Sequence, residues 1–295
     1  MLSILIPIYN FDVVDFVNDL STQASLCKID FEILCFDDGS TEEFKIKNRQ
    51  ITTIQGVVYQ ELPQNLGRSK IRNLLAENAK HDYILFLDCD SKTNNNKFIE
   101  NYISQAKPNL VVYGGRNYDA KSPANNDTFF RWWYGVKRET IGVEERAKQP
   151  CRSFMTNNFL MPKELFLSIK LNEELKGYGH EDTLLGIALK TKQIPIIHID
   201  NPLCHIGLEN IDEFLRKTHE GIRNLVLLIQ SEQVDDSIKL FRYYNLVKKM
   251  GVENKVLNYY LKNKINIEKK LRGNRPNLRW FDIYKLGYLI SLMKS

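Results

Sequence analysis

The sequence has no long hydrophobic run. No apolar stretch among its 295 residues approaches the roughly 18–20 residues that a bilayer-spanning helix needs. The first residues form a strand-like run broken by Pro7 and lack the basic n-region of a signal peptide. We therefore expect a protein that is soluble or peripheral, on the cytoplasmic side of the membrane.

Cysteine is scarce and its spacing is uninformative. The five cysteines are scattered and odd in number, and no Cys-x-x-Cys pair suggests a zinc site. Three of them, Cys27, Cys35 and Cys89, lie in or near apolar stretches. This pattern predicts small core residues in a reducing compartment, without structural disulfides.

Acidic residues are scarce in the last fifth of the chain. From Ser237 to Ser295, fourteen Lys and Arg residues stand against three acids, a net charge of +11, so the rest of the chain carries −6 of the total of +5. Aromatic residues are interleaved with these cations. Such a composition suits an anionic membrane surface, and a plain solvated helical tail is the alternative. No RNA or DNA motif appears, so we expect no nucleic-acid partner.

Strand-like and helical patterns alternate through the first part of the chain. Strands are predicted near Leu2–Ile8, Phe31–Phe36, Gly56–Tyr59, Tyr83–Leu87 and Leu110–Tyr113, and helices near Val13–Thr22, Arg68–Ala79 and Lys97–Ala106. The alternation predicts an α/β fold with a Rossmann-like, mostly parallel central sheet and helices on both faces. After Ile211 only helical patterns follow, over Ile211–Gln230, Asp235–Met250, Asn254–Lys262 and near Trp280–Met293. This predicts one domain over residues 1–209 and a basic, all-helical extension over 210–295.

The segment Tyr83–Ser91, YILFLDCDS, ends an apolar strand in two aspartates. If the strand pattern continues, Asp88 and Asp90 share one face while Cys89 points to the other. Carboxylate oxygens are ligands that Mg²⁺ and Mn²⁺ prefer. Two carboxylates placed in this way, Asp88 and Asp90, can share the work of holding a divalent cation and a polar ligand. A buried strand ending in a solvated acidic loop is the alternative.

Two further polar clusters follow predicted strands. Pro7–Asn10 ends the first strand, and Asp37–Ser40 ends the second. In parallel sheets, ligands bind beyond the carboxyl ends of the strands. Three polar clusters at one sheet edge therefore predict one ligand site.

The polar segments occur in a fixed order along the chain. They are LSILIPIYN (Leu2–Asn10), FEILCFDDGST (Phe31–Thr41), NLGRSKIRN (Asn65–Asn73), YILFLDCDS (Tyr83–Ser91) and GYGHEDTL (Gly177–Leu184). This ordered set resembles the family 2 glycosyltransferases with a GT-A fold, over roughly Leu2–Gly207. The last segment is also similar to the C-terminal motif of β4-galactosyltransferase and chondroitin-synthase type enzymes.

The resemblance implies a UDP-sugar donor and Mn²⁺ or Mg²⁺. It implies that Asp37 or Asp38 contacts uracil and that Arg72 contacts the nucleotide, although Ile71 replaces the small residue usual before that arginine. The expected donor-nucleotide residues are Pro7, Tyr9, Asn10, Asp37, Asp38, Gly67, Arg72 and Asp88. His205 matches the C-terminal metal-binding histidine of the family, so the expected metal ligands are Asp90 and His205. His198 is the competing histidine, but it lies within an apolar run, as satisfied core histidines do.

The acidic pair in the last segment predicts the groups that handle the acceptor. Transfer to a sugar hydroxyl requires a base that removes its proton, and a carboxylate is ionised at neutral pH. We predict Asp182 as this base and Glu181 as an acceptor-binding residue; a helix N-terminal acid pair is the alternative. The other expected acceptor-binding residues are Tyr178, Asn157 and Asn158. Trp132 or Trp133 is a further candidate for stacking on a sugar ring, with core packing as the alternative.

These assignments predict an inverting, metal-dependent glycosyltransferase. It would move a sugar from a UDP-sugar to a hydroxyl of a glycan or lipid-linked glycan. A sugar-nucleotide-forming nucleotidyltransferase is the first alternative, but it needs a Gly-rich basic loop after the first strand, and Ile8–Asp12 has neither glycine nor base. A non-catalytic carbohydrate- or membrane-binding module is the second alternative.

Overall fold

The computed structural model describes residues 1–175, 177–273 and 276–294. Three residues of the basic tail, Asn274, Arg275 and Ser295, lie outside the described residues. The chain forms two compact units. The first comprises residues 1–119, 139–174 and 181–207, and the second comprises residues 120–138, 175–180 and 208–295. The domain division after residue 209 stays a prediction.

A seven-stranded sheet organises the first unit. Its strands are β1 (Leu2–Ile8), β2 (Phe31–Asp37), β3 (Val57–Glu61), β4 (Tyr83–Leu87), β6 (Val111–Tyr113), β8 (Asn158–Pro162) and β9 (Ile196–His198), in the order β3-β2-β1-β4-β8-β6-β9. Only β8 runs antiparallel to its neighbours. The predicted α/β fold with a mostly parallel sheet is confirmed, and β1 and β4 have the predicted bounds.

Side chains of the strands alternate between two apolar cores. In β1, Ile4, Ile6 and Ile8 pack on one face, and Leu5 packs on the other. The helices of this unit are α1 (Val14–Leu26), α2 (Glu42–Asn48), α3 (Arg68–Asn78), α4 (Phe98–Ile103), α6 (Val143–Ala147), α7 (Lys163–Leu167) and α8 (Glu181–Thr191), with a 3₁₀ turn over Arg49–Thr53. Helices α1 and α4 cover the first face, and α3, α7 and α8 cover the second. Strands buried on both sides read as continuous apolar runs, which explains the pattern in the sequence.

A small three-stranded sheet begins with the strand that follows β4 along the chain. It consists of β5 (Ser91–Lys92), β10 (Leu203–His205) and β7 (Arg116–Asn117), with β10 in the middle. Cys204 pairs with Lys92, and His205 pairs with Ser91. This pairing places Ser91, the residue after Asp90, opposite His205, the predicted metal-binding histidine.

The second unit is helical. It contains α5 (Asn126–Tyr134), α9 (Ile211–Gln230), α10 (Lys239–Lys249), α11 (Glu253–Leu271) and α12 (Leu278–Lys294), and a π-helical turn over Gly135–Glu139 follows α5. The expected all-helical extension is confirmed; α9 has the predicted bounds, whereas α11 extends well beyond the predicted Asn254–Lys262. Among the described residues, no helix combines the length and the apolar character that crossing a membrane requires.

Candidate functional site

The loops after β1 and β2 are tied together by hydrogen bonds. Asn10, with a positive φ of 49°, donates its backbone N–H to Ser40 Oγ at 2.8 Å and accepts the N–H of Thr41 on its own Oδ1 at 2.8 Å. Asparagine tolerates this left-handed conformation better than most residues. Tyr9, just before it, is 53% exposed, so its ring is free to meet a ligand at this sheet edge.

The two aspartates after β2 shape the loops around them. Asp37 accepts the N–H of Ser40 at 2.7 Å and the hydroxyl of Tyr59 at 3.2 Å. Asp38 accepts the backbone N–H groups of Leu66 and Gly67 at 2.6 and 3.1 Å. Burial raises the pKa of Asp38, and these two N–H donors oppose that rise. A uracil contact by either aspartate stays a prediction, and both have a structural role.

Gly67 opens helix α3 in a conformation that other residues disfavour. Its φ is +90°, and a Cβ built there would meet nothing within 4 Å. The glycine therefore serves the backbone conformation rather than the packing. One turn later, the buried Arg72 turns its guanidinium towards β4 and donates to Asp88 at 2.5 Å.

Asp88 lies between two buried arginines. Besides Arg72, the Nη2 of Arg116 donates to its second carboxylate oxygen at 3.1 Å, and Arg116 Nη1 lies 3.5 Å from Glu139. Buried charges of this kind need partners, because their desolvation is costly. Sequence reasoning missed Arg116. Its only signal is the preceding Gly114-Gly115 pair, which marks a close backbone approach.

Strand β4 ends at Leu87, so Asp88–Asp90 form a turn that leads into β5. The strict strand alternation that we expected therefore stops before the two aspartates. Cys89 packs against the core on the α1 side, while Asp88 meets the arginine from α3.

Asp90 and His205 form a close pair, in which the histidine is buried and the Asp90 side chain is 31% exposed. His205 Nδ1 lies 3.3 Å from Asp90 Oδ1, and the histidine is only 4% exposed. Within the described part of the chain, Asp90 Oδ1 and both ring nitrogens of His205 lack a well-formed hydrogen bond. Burial acts to raise the pKa of Asp90, but the nearby His205 and the arginines Arg116 and Arg68 outweigh it and hold this pKa well below its usual range.

Gly207 fixes the position of Asp90, and sequence reasoning missed it. The N–H groups of Ile206 and Gly207 both donate to the backbone carbonyl of Asp90, at 2.9 and 3.2 Å. A Cβ on Gly207 would lie 2.5 Å from Asp90 Cβ, which is closer than real Cβ atoms approach. Only glycine fits this contact. The signal in the sequence that could have identified Gly207 was its position two residues after His205.

The Asp90–His205 pair fits a divalent cation. A buried carboxylate oxygen and two buried imidazole nitrogens without hydrogen-bond partners are free to act as ligands. Among the described residues, no cluster of three or more His, Cys, Asp or Glu side chains could enclose a metal by itself. Such a cation would therefore take its remaining ligands from water or from the oxygens of a bound diphosphate.

Asp182 lies in the first turn of α8 and is held by Thr156. The Thr156 hydroxyl donates to Asp182 Oδ1 at 2.6 Å. Burial and the neighbouring negative charge of Glu181 raise the pKa of Asp182 to about 6, against the effect of that hydroxyl. A carboxylate with a pKa near the working pH is suited to proton transfer.

Glu181 has the opposite electrostatic setting. It is buried and forms an ion pair with Arg68 of α3. Burial raises its pKa, but the charges of Arg68 and Arg72 prevail and lower it. Two adjacent carboxyl groups whose environments shift their pKa values in opposite directions are typical of a division of roles.

The structure gives Asn158 a different role from the acceptor contact that we expected. Its side chain donates to the carbonyls of Gly115 and Asn201 at 2.9 Å each, and its Oδ1 accepts the hydroxyl of Tyr102 at 2.5 Å. The residue is completely buried, so it joins β8 to its surroundings and is not available to an acceptor sugar.

Asn157 differs from its neighbour. Its Oδ1 lies 3.4 Å from the hydroxyl of Tyr113, and its buried Nδ2 has no hydrogen-bond partner in the described residues. Its backbone carbonyl accepts the N–H of Asp88 at 3.0 Å. Asn157 thus has an unpaired amide donor beside the Asp-Cys-Asp turn, and the ligand contact expected of it stays a prediction.

His198 is a buried structural histidine in this fold. Its Nε2 lies 3.1 Å from the carbonyl of Pro150, and Arg146 Nε lies 3.3 Å from its Nδ1. Burial lowers its pKa to about 4. These contacts support the choice of His205 over His198 as the candidate ligand.

Tyr178 belongs to the second unit, where its loop packs on α9. Its backbone carbonyl accepts the side-chain amide of Asn224 at 3.2 Å, and its ring lies 5.5 Å from Lys217 Nζ. The flanking glycines have φ values of +72° and +102°, and a Cβ on Gly177 would lie 2.9 Å from Glu220 Oε2. The Gly-Tyr-Gly pattern is thus explained by packing, and the sugar contact of Tyr178 stays a prediction. Of the two other stacking candidates, which belong to the same unit, Trp132 is buried and Trp133 is half-buried.

A cavity of about 790 Å³ is lined by residues of the β1 loop, α1 and β5, and neither Asp90 nor His205 is among them. Three of its lining residues are Asn10, Ser91 and Ile206, which stand in the β1 loop and directly after the two candidate ligands. The phenylalanines Phe11, Phe16 and Phe44 add an apolar wall. The cavity thus adjoins the candidate ligands through their sequence neighbours.

Comparisons with known proteins give the same architecture. Hyaluronan synthase of Pasteurella multocida is 27% identical over 190 residues, 54% of this chain and 19% of that protein. TarS residues 1–349 from S. aureus, crystallised with UDP-GlcNAc, is 17% identical with a TM-score of 0.52 over 99% of this chain and 91% of that chain. The mannosyltransferase PcManGT from Pyrobaculum calidifontis, in complex with GDP-Man and Mn²⁺, is 13% identical with a TM-score of 0.56 over 78% and 64%.

These likenesses confirm the GT-A fold, and the chain spans about a fifth of the length of the hyaluronan synthase. The family model described as glycosyl transferase family 2 matches residues 3–166, more than half of the chain. The matched range contains the β1 and β2 loops, the start of α3 and the Asp-Cys-Asp turn. The chain belongs to glycosyl transferase family 2.

Proposed function

We propose that the protein is an inverting, metal-dependent glycosyltransferase that uses a UDP-sugar. The observation that carries the proposal is that one arginine, Arg68, acts on both the candidate base and the candidate metal ligand. Arg68 pairs with Glu181 beside the candidate base Asp182, and its positive charge favours the ionised form of both Asp90 and Asp182, although burial and Glu181 still raise the pKa of Asp182. The candidate base and the candidate metal ligand thus lie within the field of one side chain.

The donor would lie along the carboxyl ends of β2, β1 and β4. The nucleotide would meet Tyr9 and the loops held by Asp37 and Asp38, and UDP is supported by the fold shared with a UDP-GlcNAc-bound relative. Arg72 and Arg116 would act chiefly through Asp88, whose two oxygens they fix. A carboxylate with a fixed orientation can receive a ribose hydroxyl without reorganisation.

Asp90 and His205 would hold Mn²⁺ or Mg²⁺. Their unpartnered buried ligand atoms support this assignment, as does the Mn²⁺ in the structure of the archaeal mannosyltransferase of the same fold. When bound, the cation would neutralise the charge that develops on the leaving diphosphate. Gly207 and the backbone of Ile206 keep Asp90 in place for this role.

Asp182 would act as the general base. As the acceptor oxygen forms its bond to the anomeric carbon, the bond from that carbon to the diphosphate oxygen breaks, and the hydroxyl proton passes to an Asp182 oxygen. UDP leaves with the bonding electron pair. One displacement inverts the anomeric configuration, and no covalent sugar–enzyme bond is formed. The raised pKa of about 6 makes Asp182 a better proton acceptor than an exposed aspartate.

The acceptor would be a glycan or a lipid-linked glycan, used at the cytoplasmic face of a membrane. Glu181, Asn157 and Tyr178 are the acceptor-binding candidates that remain. Of these, Asn157 has the clearest support, because its buried amide donor is unpaired in the described residues.

The configuration of the product tests this proposal. We would incubate the protein with α-linked UDP-sugars and an oligosaccharide acceptor and follow the anomeric proton by NMR. A β-linked product supports a single displacement. A product with retained configuration would contradict it, and formation of a UDP-sugar from UTP and a sugar phosphate would favour the nucleotidyltransferase alternative.

A further inference from the structure

Helix α11 carries a stripe of lysines on its exposed face. Lys255, Lys262 and Lys269 are spaced by seven residues, close to two helical turns, so they lie in one row along the helix. All three are exposed. We propose that this face of α11, the lysine stripe together with Leu261 and Ile265, docks the protein on a membrane surface of anionic lipid.

The charges of the stripe are available to a partner. Within the described residues, none of the three lysines has a carboxylate partner, whereas other cations of the same unit are paired. Arg272 pairs with Asp212, and Lys294 lies 2.8 Å from Glu253. Unneutralised cations in a row attract an anionic surface, and each contributes separately.

Apolar side chains beside the stripe are exposed as well. Leu261 is 57% exposed and Ile265 is 64% exposed. Ile265 stands three residues after Lys262 and four before Lys269, and Leu261 stands one turn before Ile265. Large apolar side chains mixed with lysines on one face are typical of helices that lie in the membrane interface. Helix α10 repeats the composition, with exposed Tyr243, Leu246 and Met250 among its basic residues.

The opposite face of α11 already accounts for the packing of the helix. Tyr260, Ile267 and Leu271 are buried in the apolar core of the second unit. Helix α12 approaches so closely that a Cβ on Gly287 would lie 2.3 Å from Tyr260 Cβ. The exposed face is therefore not needed to hold the helix in the fold.

The charge and the apolar residues together select the membrane over other occupants. Residues 239–271 contain nine Lys and Arg residues and two acids, so two copies of this surface would repel each other. An anionic polymer would use the lysines, but it would gain nothing from Leu261 and Ile265. A lipid surface uses both, because acyl chains accept the apolar side chains.

Vesicle sedimentation with the full chain tests the proposal. We expect binding to phosphatidylcholine–phosphatidylglycerol vesicles, no binding to phosphatidylcholine alone, and weaker binding as salt is raised. The triple variant Lys255→Ala, Lys262→Ala, Lys269→Ala should lower the partition coefficient by about 100-fold, at roughly five-fold per lysine. Alanine favours the helix, so folding should be retained, and thermal unfolding checks this.

A matched control removes the same charge elsewhere. Lys97, Lys107 and Lys192 are exposed residues of the first unit, and their side chains pair with no carboxylate in the described part of the chain. Their triple alanine variant should bind mixed vesicles within about three-fold of the wild type, because it changes net charge and not the stripe. Ile265→Asn, which alters no charge, should also weaken binding.

Three results would overturn the proposal. The first is that the wild type does not bind mixed vesicles at low salt. The second is that the two triple variants lose vesicle binding equally. The third is that neither the wild type nor Ile265→Asn binds vesicles, while both bind a soluble polyanion equally tightly. The last would assign the stripe to an anionic polymer. Donor turnover without vesicles should be the same in the wild type and the stripe variant, so this test is independent of the proposed catalysis.

Discussion

His205 Nδ1 lies 3.3 Å from Asp90 Oδ1, and both atoms are buried without a well-formed hydrogen bond in the part of the chain that the structure describes. Leaving a buried polar group unsatisfied costs about 1–3 kcal/mol. A cation bound by both groups would remove that cost, so the pair has a physical reason to bind one.

Replacing Asp90 should abolish the metal dependence of nucleotide binding. We expect the wild type to bind UDP appreciably only with Mn²⁺ or Mg²⁺, and Asp90→Asn to bind it weakly and equally with metal or chelator. His205→Gln should show a smaller loss, since one ligand remains. Calorimetry measures these affinities. Unchanged metal dependence in Asp90→Asn would refute the assignment of the ligand.

Adding one methyl group at Gly207 should disturb Asp90. Because its Cβ would lie 2.5 Å from Asp90 Cβ, Gly207→Ala should destabilise the fold by about 1–3 kcal/mol. It should also weaken metal-dependent UDP binding by about 10–100-fold, the range for residues that orient metal ligands. Gly142→Ala is the control, because a Cβ there meets nothing within 4 Å and its φ is not positive. Equal behaviour of the two variants in denaturation and calorimetry would contradict this role.

Removing the carboxylate of Asp182 should stop transfer without weakening the donor complex. Loss of a general base typically costs about 10²–10⁴-fold in rate, so Asp182→Asn should lose turnover by that factor while its UDP affinity with metal stays near the wild-type value. Steady-state kinetics and calorimetry on the same preparation check both parts. Turnover close to that of the wild type would move the base elsewhere, with Glu181 next in line.

The pH profile should report on Asp182 and Thr156. Asp182 has a raised pKa of about 6 and is active only when deprotonated, so kcat/KM should rise with pH through about 6 and then level off. Thr156→Val removes a hydroxyl that lowers this pKa, and the rise should then move to higher pH. Thr156→Ser keeps the hydroxyl and should keep the profile. A rise at the same pH in the valine variant would separate this titration from Asp182.

The sequence predicted the fold well because its strands are buried on both faces. Continuous apolar runs such as Leu2–Ile8 end in polar clusters, and parallel strands bring those ends to one edge. The order of the motifs then indicated the family. Helix α11 was predicted too short, because a basic surface helix of this length is stabilised by packing that a local pattern does not contain.

The sequence could not predict contacts made across the fold. Arg116 reaches Asp88 from a strand 28 residues later, and Gly207 contacts Asp90 through a sheet pairing that no local pattern specifies. Asn158 was misassigned for the same reason: its partners come from three separate segments. The glycines of the Gly-Tyr-Gly pattern likewise accommodate the close approach of α9.

The most direct test of the account is UDP release from a panel of UDP-sugars, measured with an acceptor glycan in Mn²⁺ and in excess chelator. We predict that at least one UDP-sugar is turned over in Mn²⁺, that chelator abolishes this turnover, and that Asp182→Asn lacks it while still binding UDP with metal. Turnover that persists in chelator, or turnover of GDP-sugars with no UDP-sugar used, would contradict the central claim.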